Sequence, residues 1–476
     1  MPSESTADTP GPPDRANTPA AYGKGEGPGP RGAPALPLAP GALPLVGHAA
    51  AFLLDPLSWL RRCARSGPGD GVHRLRLWNR PSYLVTDAEL AHEMLVTRAA
   101  DYDKGGQFYR NAREVFGETL VTASAAHHPH QRRQMQPVFR RSRIAAAVPS
   151  LHTEAVRVAD SWTPGAPVDI LAASTLYAHR AAVRTLLPVL ETDEVDRLAA
   201  ASARLIEDLF LRTVLPPSAA ALLRRRFDRA LETLREACSA AVPHARAHAR
   251  DERSGLLAAL LETSPGGPGP ATEEEVRDHF VSLLMAGTET TVSALAWQLH
   301  HLSRDLPLQH RIRDELHAVA GGRPITLDDL GAMPLLRRAT AETLRCRPPL
   351  WILLRTSVRD VRLGPYRFPA GTDFYFSPHQ IQHDPRTFED PERFRPERWP
   401  ESGPSARDVT FLAFGAGPRK CLGDHFALTS LAVATSALLT RWTLTPADNG
   451  APRPRLRTMQ VPVALRLRAV RRGTAL

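Results

Sequence analysis

Cys421 has sequence surroundings that the other three cysteines of the chain lack. It follows the run Phe-Gly-Ala-Gly-Pro-Arg-Lys, from Phe414 to Lys420, and it precedes an apolar stretch with helical spacing. The glycines of this run allow tight turns and leave no Cβ that would block a flat ligand. A thiolate just before a helix is stabilised by free amide donors, by the positive end of the helix dipole and by neighbouring cations. The pattern therefore predicts a sulfur that binds a metal.

A second candidate set is the segment Ala-Gly-Thr-Glu-Thr-Thr at 286–291. A long helix would ordinarily avoid a glycine followed by three threonines, because both lower helix propensity. Gly287 leaves room for a flat group against the helix, and the threonine hydroxyls can bond back to carbonyls and open a local bulge. Glu289 beside Thr290 is a carboxylate–hydroxyl pair that can deliver protons. The alternative is an ordinary buried helix with a polar kink.

Several charged side chains form a third set of candidates. Glu342 and Arg345 lie at i and i+3 of one helix, a pair that is usually a solvated bridge of little energetic value. Arg132 and Arg355, each taken alone, would be ordinary solvated surface charges.

The elements that must position these groups follow from periodicity and turn residues. Thr272 and Glu275 form a capping box that opens a long helix from about Glu273 to Arg304. Other predicted elements are strands at 72–78 and 83–86, helices at 88–97 and 124–136, a mostly helical region at 151–261, and short strands between 355 and 376. The pattern predicts a fold that is mainly α with a smaller β part.

Composition limits the classes of protein that remain. The chain has 476 residues, of which 43% are hydrophobic, and can bury a large core. Residues 1–32 are rich in Pro and Gly and are predicted to be disordered, which leaves 33–476 as a single domain. No apolar run reaches the roughly 18–20 residues of a membrane span, and we expect a cytoplasmic protein without a signal peptide. The net charge of +10 is dispersed and aromatic residues are few, so nucleic acid is disfavoured as a partner.

The motifs together resemble those of one family. Phe-Gly-x-Gly-x-Arg-x-Cys-x-Gly at 414–423 resembles the haem-ligand loop of the cytochrome P-450 superfamily. Three further segments are similar to its oxygen-activation motif (286–290), its Glu-x-x-Arg pair (342–345) and its later arginine loop (394–399). The segment 128–133 resembles the family's His-x-x-x-Arg helix, although Pro129 and His130 replace two arginines common in bacterial relatives. The resemblance runs from about Leu36 to the C-terminus and implies the P-450 fold, with a long central helix over haem b (iron protoporphyrin IX).

The resemblance also implies a role for each matching residue. Cys421 would ligate the iron, Thr290 would help to bind dioxygen, and Glu289 would relay protons. The residues implied to contact the rest of the haem are Phe414, Gly287 and the carboxylate partners His128, Arg132, Arg355 and Arg419. Glu342, Arg345 and Arg398 would form a buried structural trio, which costs about 3–5 kcal/mol to break.

By resemblance the chain is a haem-dependent monooxygenase that acts on a hydrophobic small molecule. The segment after Cys421 is too short for a flavin domain, so ferredoxin and ferredoxin reductase are implied as electron donors. Trp351 and Asp424-His425-Phe426 resemble actinobacterial terpene oxygenases of the pentalenene type, which favours a cyclic sesquiterpene hydrocarbon of secondary metabolism as substrate. The alternatives are the same fold used with peroxide or as an isomerase or dehydratase, a non-catalytic haem sensor, and a basic nucleic-acid binder.

Overall fold

The computed structural model describes residues 36–471 apart from internal gaps. The gaps are 45–46, 67–70, 78–79, 107–108, 110–111, 114–116, 215–222, 249–250, 252–254, 262–271, 406–407, 449, 451 and 457–458. The segment 1–32, predicted to be disordered, lies outside the described residues.

Helices make up most of the described chain. They are α1 (Ala49–Leu54), α2 (Pro56–Arg65), α3 (Ala88–His92), α4 (His128–Met135), α5 (Arg141–Asp160), α6 (Ile170–Leu186), α7 (Thr192–Val214), α8 (Arg224–Ala247), α9 (Leu256–Leu260), α10 (Glu273–Ser303), α11 (Leu306–Ala320), α12 (Pro334–Cys346), α13 (Pro378–Ile381) and α14 (Asp424–Arg441). A π-helical turn at Glu93–Thr97 continues α3, and a 3-10 turn at Gln136–Phe139 continues α4.

The strands are short and form a minor part of the fold. They are β1 (Val72–Leu77), β2 (Arg80–Val85), β3 (Tyr102–Asp103), β4 (Pro167–Asp169), β5 (Leu353–Ser357), β6 (Val361–Leu363), β7 (Tyr366–Phe368), β8 (Asp373–Phe376), β9 (Trp442–Pro446), β10 (Arg453–Leu456), β11 (Gln460–Val463) and β12 (Arg466–Arg471). One sheet has the order β1-β2-β8-β5-β3, in which β2 and β8 are parallel and the other pairs are antiparallel. The prediction of a mainly α fold with a smaller β part is confirmed.

Helix α10 runs through the middle of the molecule and joins two apolar cores. Its first half, from Val276 to Leu284, packs with α7, α8 and α9, and its second half, from Val292 to Leu302, packs with α5, α6, α11, α12 and α14. Thr272 accepts from the backbone N–H of Glu275 and completes the predicted capping box. The stretch between the two buried halves contains the Ala-Gly-Thr-Glu-Thr-Thr segment.

Two local predictions differ from the structure. The threonines of 286–291 bond back to carbonyls as expected, but α10 stays α-helical throughout and no bulge opens. Each of these bonds is a side-chain bond added to the helix ladder, so it need not replace a backbone bond. The helix predicted from Ser124 begins instead at His128, because Pro129 fits only in a first turn.

Candidate active site

The middle of α10 is open on one side although both halves of the helix are buried. Ala286 and Gly287 are exposed, whereas Leu284 and Thr288 on either side of them are buried. A Cβ added to Gly287 would meet no heavy atom within 4 Å. The hydroxyl of Thr290 donates to the carbonyl of Ala286 at 2.9 Å, at the edge of the same open face. The structure therefore leaves free space against the helix at the predicted position.

The cysteine loop before α14 depends on two glycines with positive φ. Gly415 has φ 68° and Gly417 has φ 66°, which side chains rarely tolerate. A side chain on Gly417 would collide with the carbonyl oxygen of Leu95, whereas a Cβ on Gly415 would meet nothing within 4 Å. The backbone N–H of Cys421 donates to the carbonyl of Phe414 at 2.9 Å and closes the loop.

Cys421 differs from the other cysteines in its access to space. Its side chain is exposed, while Cys63, Cys238 and Cys346 are buried. Burial among surrounding protein atoms nevertheless raises the pKa of the Cys421 thiol, and the N–H of Gly423 opposes this shift. A thiol that is enclosed by protein and still accessible lines an internal cavity.

The cysteine loop and the open part of α10 are walls of the same region. Leu422, next to the cysteine, packs in one apolar cluster with Leu284 and Met285, which directly precede Ala286. Ala416 of the loop and Leu353 of β5 both pack against another apolar cluster. Because the space beside Gly287 is empty and the Cys421 thiol is accessible, the region can accept a flat group between loop and helix.

Among the described residues, cations gather at one end of this region, and Asp103 is the acid that pairs with them. Arg419 donates to Asp103 at 2.7 Å and to the carbonyl of Ala123 at 2.8 Å. Burial lowers the pKa of Arg355, as it does that of Arg419. Burial together with Arg419 and other cations lowers the pKa of His128 to about 3. In the described part of the chain Asp103 is the anion beside this group, so the repulsion between Arg355 and Arg419 is only partly balanced.

Lys104 belongs to this cationic group and was missed as a site residue by sequence reasoning. Burial, Arg355 and Arg419 lower its pKa to about 7, and its Nζ donates to the carbonyl of Val121 at 2.8 Å. The signal available in the sequence was a rare lysine in an arginine-rich chain. A ligand with two carboxylates would relieve the repulsion within this group, and haem has two.

The other predicted haem-contact residues lie around the same loop. Arg132 of α4 donates to the carbonyl of Lys420 at 2.8 Å, so its guanidinium supports the cysteine loop from the side of α4. His128 is buried at the start of α4, and Phe414 is half-buried at the start of the loop.

The structure brings Glu342, Arg345 and Arg398 together away from the cavity. Glu342 and Arg345 are fully buried on α12, with Arg345 Nε 2.9 Å from Glu342 Oε2. Arg398 Nε lies 2.9 Å from Glu342 Oε1, and Trp399 Nε1 donates to Oε2 at 2.9 Å. The carboxylate thus ties α12 to the later loop.

Comparison with known proteins agrees with this architecture. The Cytochrome P450 family matches residues 37–468. The chain belongs to the cytochrome P450 family. Family members hold haem b through a cysteine thiolate, and the chain is accordingly a haem-dependent cytochrome P450 monooxygenase. The cavity with its empty space beside Gly287, accessible thiol and only partly balanced cations fits that cofactor.

The similar proteins include P450 enzymes of terpene metabolism. Pentalenene oxygenase of Streptomyces avermitilis is 34% identical over 91% of this chain and 97% of its own. Cyclooctatin synthase of Streptomyces melanosporofaciens is 32% identical over 88% and 92%. Cyclooctat-9-en-7-ol 5-monooxygenase of the same organism is 34% identical over 86% and 89%.

A solved structure supports the fold independently of these sequences. The crystal structure of the cytochrome P450DA heme domain superposes with a TM-score of 0.81, covers 92% of this chain and 98% of that one, and shares 21% identity. The expected P450 fold is confirmed. Across the residues described here, every helix is too short or too polar to cross a bilayer.

Proposed function

We propose that this P450 hydroxylates a cyclic terpene hydrocarbon within one catalytic domain that covers residues 33–476. The observation that carries the substrate class is the apolar character of the space beside the open face of α10. Ala286 on the helix is proposed to line this space together with the half-buried Leu350 and Leu353 near β5, and none of them offers a charge to a bound molecule. Such a lining favours a hydrocarbon over a sugar or nucleotide. The terpene names of the three Streptomyces relatives support the same class.

The residues proposed to hold haem b act by position and charge. Cys421 supplies the sulfur ligand, and the N–H of Gly423 favours its thiolate form. Arg355, Arg419 and His128 would hold the haem carboxylates, and Lys104 would be a fourth partner. Arg132 steadies the loop through Lys420. Phe414 and Gly287 would contact the flat group, and the missing side chain of Gly287 would leave room beside it.

When bound, the haem supplies the reduction of dioxygen and the oxidation of a C–H bond. The overall conversion takes R–H, O₂, two electrons and two protons to R–OH and water. The chain must therefore deliver protons into a region that its apolar walls otherwise keep dry. Thr290 holds one proton on its hydroxyl, at present donated to the Ala286 carbonyl, and can turn it toward the cavity. Glu289, partly exposed, is the neighbouring group proposed to replenish it.

The substrate class is tested with the haem-loaded enzyme and a panel of ligands. Pentalenene, other cyclic terpene hydrocarbons and macrolides are compared by the spectral shift on binding and, with ferredoxin, reductase and NADPH, by products heavier by one oxygen. We expect shifts and hydroxylated products from terpene hydrocarbons. Shifts and products from macrolides alone would overturn the terpene assignment.

The alternatives give different results in the same assay. A peroxide-driven enzyme would form product with hydrogen peroxide and none with dioxygen and reductant. A haem sensor would show the binding shift without product under any reductant.

The proposed electron donor is a ferredoxin that docks beside the cysteine loop. The cations nearest the loop are Arg132, Arg133, Arg419 and Lys420, of which Arg419 turns inward to Asp103 and Arg132 to the loop backbone. Arg133 and Lys420 remain at the surface, with Lys420 41% exposed and paired with Asp424. Acidic carriers are steered by such charges, and salt screens the attraction.

Charge reversal tests this docking face. We expect Arg133→Glu to slow haem reduction by an acidic ferredoxin several-fold at low salt and to weaken the salt dependence of that rate. Arg224→Glu, on the exposed start of α8, is the matched control and should change neither. Equal reduction rates for the native enzyme and Arg133→Glu at all salt concentrations would exclude the proposed face.

A further inference from the structure

His179 is a buried side chain of α6 whose ring nitrogens have no hydrogen-bond partner among the described residues. The residue is 2% exposed, and neither Nδ1 nor Nε2 donates or accepts within that part of the chain. Leaving a buried polar atom unpaired costs about 1–3 kcal/mol, so such a side chain calls for an explanation.

The His179 ring lies beside the carboxylate of Glu289 on α10. His179 Nε2 lies 3.9 Å from Glu289 Oε1, a gap slightly longer than a hydrogen bond. Packing of α6 against α10 fixes the position of the ring, because Tyr177 and Ala178 of α6 lie in one buried cluster with Val292 and Leu295 of α10. The ring is thus held against Glu289 by the core itself.

We propose that His179 is the positioning residue of Glu289: its Nε2–H donates to the carboxylate and holds it within reach of the Thr290 hydroxyl. This rests on the proposed role of Glu289 in delivering protons. Adjacent residues of an α-helix project about 100° apart, so Glu289 does not point with Thr290 into the cavity by default. A donor on the neighbouring helix fixes how far the carboxylate turns, and closing the gap satisfies a buried nitrogen at the same time.

A spectroscopic test needs no substrate. In the carbon monoxide complex of the reduced enzyme labelled with ¹⁵N-histidine, the His179 signals are those lost in His179→Gln. We expect a protonated, hydrogen-bonded Nε2 whose signal moves in Glu289→Gln and stays in place in Thr291→Ala. An Nε2 signal that is the same in the native enzyme and Glu289→Gln would overturn the proposal.

A second test replaces His179 by two amide side chains of different length, glutamine and asparagine. The glutamine amide nitrogen occupies roughly the place of Nε2, whereas the asparagine nitrogen approximates Nδ1. With pentalenene as the probe, we expect His179→Asn to lower product formed per electron consumed by about tenfold, the value of a hydrogen bond to a charged group. His179→Gln should stay close to the native enzyme at equal haem content and thermal midpoint.

The outcomes separate this inference from the proposed function. If Glu289→Gln lowers coupling while His179→Asn and His179→Gln are equal, the positioning role is wrong and Glu289 keeps its role. If Glu289→Gln couples like the native enzyme, the proton-delivery role of Glu289 is wrong. If pentalenene yields no product, the substrate assignment is at fault and the ¹⁵N result still decides the contact.

Discussion

Cys63, Cys238 and Cys346 are buried, and burial raises the pKa of each thiol to about 12. Such thiols stay protonated and unreactive at neutral pH. Cys421 is also enclosed, but it faces the open cavity. Burial raises the pKa of its thiol, and the cations of its own loop and of α4 oppose that rise. At the scale of single residues, access to the cavity and neighbouring charge separate the proposed ligand from three structural cysteines of the same chemistry.

The Thr290 hydroxyl can be tested through coupling, the fraction of consumed electrons that ends in product. We expect Thr290→Ala to retain haem and fold but to divert most electrons to hydrogen peroxide or water, because the hydroxyl proposed to supply a proton to the cavity is gone. The measurement is product and peroxide formed per NADPH consumed. Thr291→Ala is the control, since Thr291 also bonds back to a carbonyl, that of Gly287 at 2.7 Å, but is buried. Equal coupling in both variants would remove Thr290 from the mechanism.

At the scale of elements, α12 and the loop at 389–399 are joined by one buried carboxylate. The Glu342 carboxylate accepts hydrogen bonds from Arg345 of its own helix, from Arg398 of the loop and from the indole N–H of Trp399. Buried ion pairs do not by themselves guarantee stability, since both charges lose water. Removing one charge from such a set is costly because the remaining charges stay buried without a counter-ion.

Two glutamates at this junction, Glu342 and Glu389, differ in burial. We expect Glu342→Gln to lower the free energy of unfolding by about 3–5 kcal/mol, because two guanidinium groups lose their buried partner. Glu389→Gln breaks the Arg395–Glu389 pair, in which Glu389 is 78% exposed, and should cost less than about 1 kcal/mol. Denaturant unfolding followed by circular dichroism provides the comparison. Similar losses in the two variants would show that burial of the trio contributes little.

At the scale of the whole molecule, buried histidines link the fold to pH. Burial together with Arg304 and Arg347 lowers the pKa of His300 to about 4, and burial lowers that of His279 to about 4. In the unfolded chain both would take up a proton near pH 6.5. The unfolded state then binds more protons than the folded state below that pH, so stability falls as the pH drops toward 4.

The loss of stability at low pH can be measured for His300 alone. Between about pH 6.5 and 4 its protonation should cost on the order of 3 kcal/mol of stability, and His300→Gln should flatten the decline by a comparable amount. Urea midpoints at a series of pH values give the slope, and His310→Gln, at an exposed position of α11, is the control. Parallel pH profiles for the native enzyme and His300→Gln would rule out His300 as a source of acid sensitivity.

The local features of this protein can be predicted from its amino-acid sequence. The capping box at Thr272, the turns at Gly415 and Gly417 and the α-helical periodicity depend on neighbouring residues, so the mainly α fold and the P450 family were predictable from motifs. Which distant groups meet depends instead on the way the elements pack. The packing set Lys104 beside Arg355 and Arg419, turned Arg419 inward and placed His179 against Glu289. These contacts depend on how separate elements pack, and no spacing along the chain encodes that packing directly.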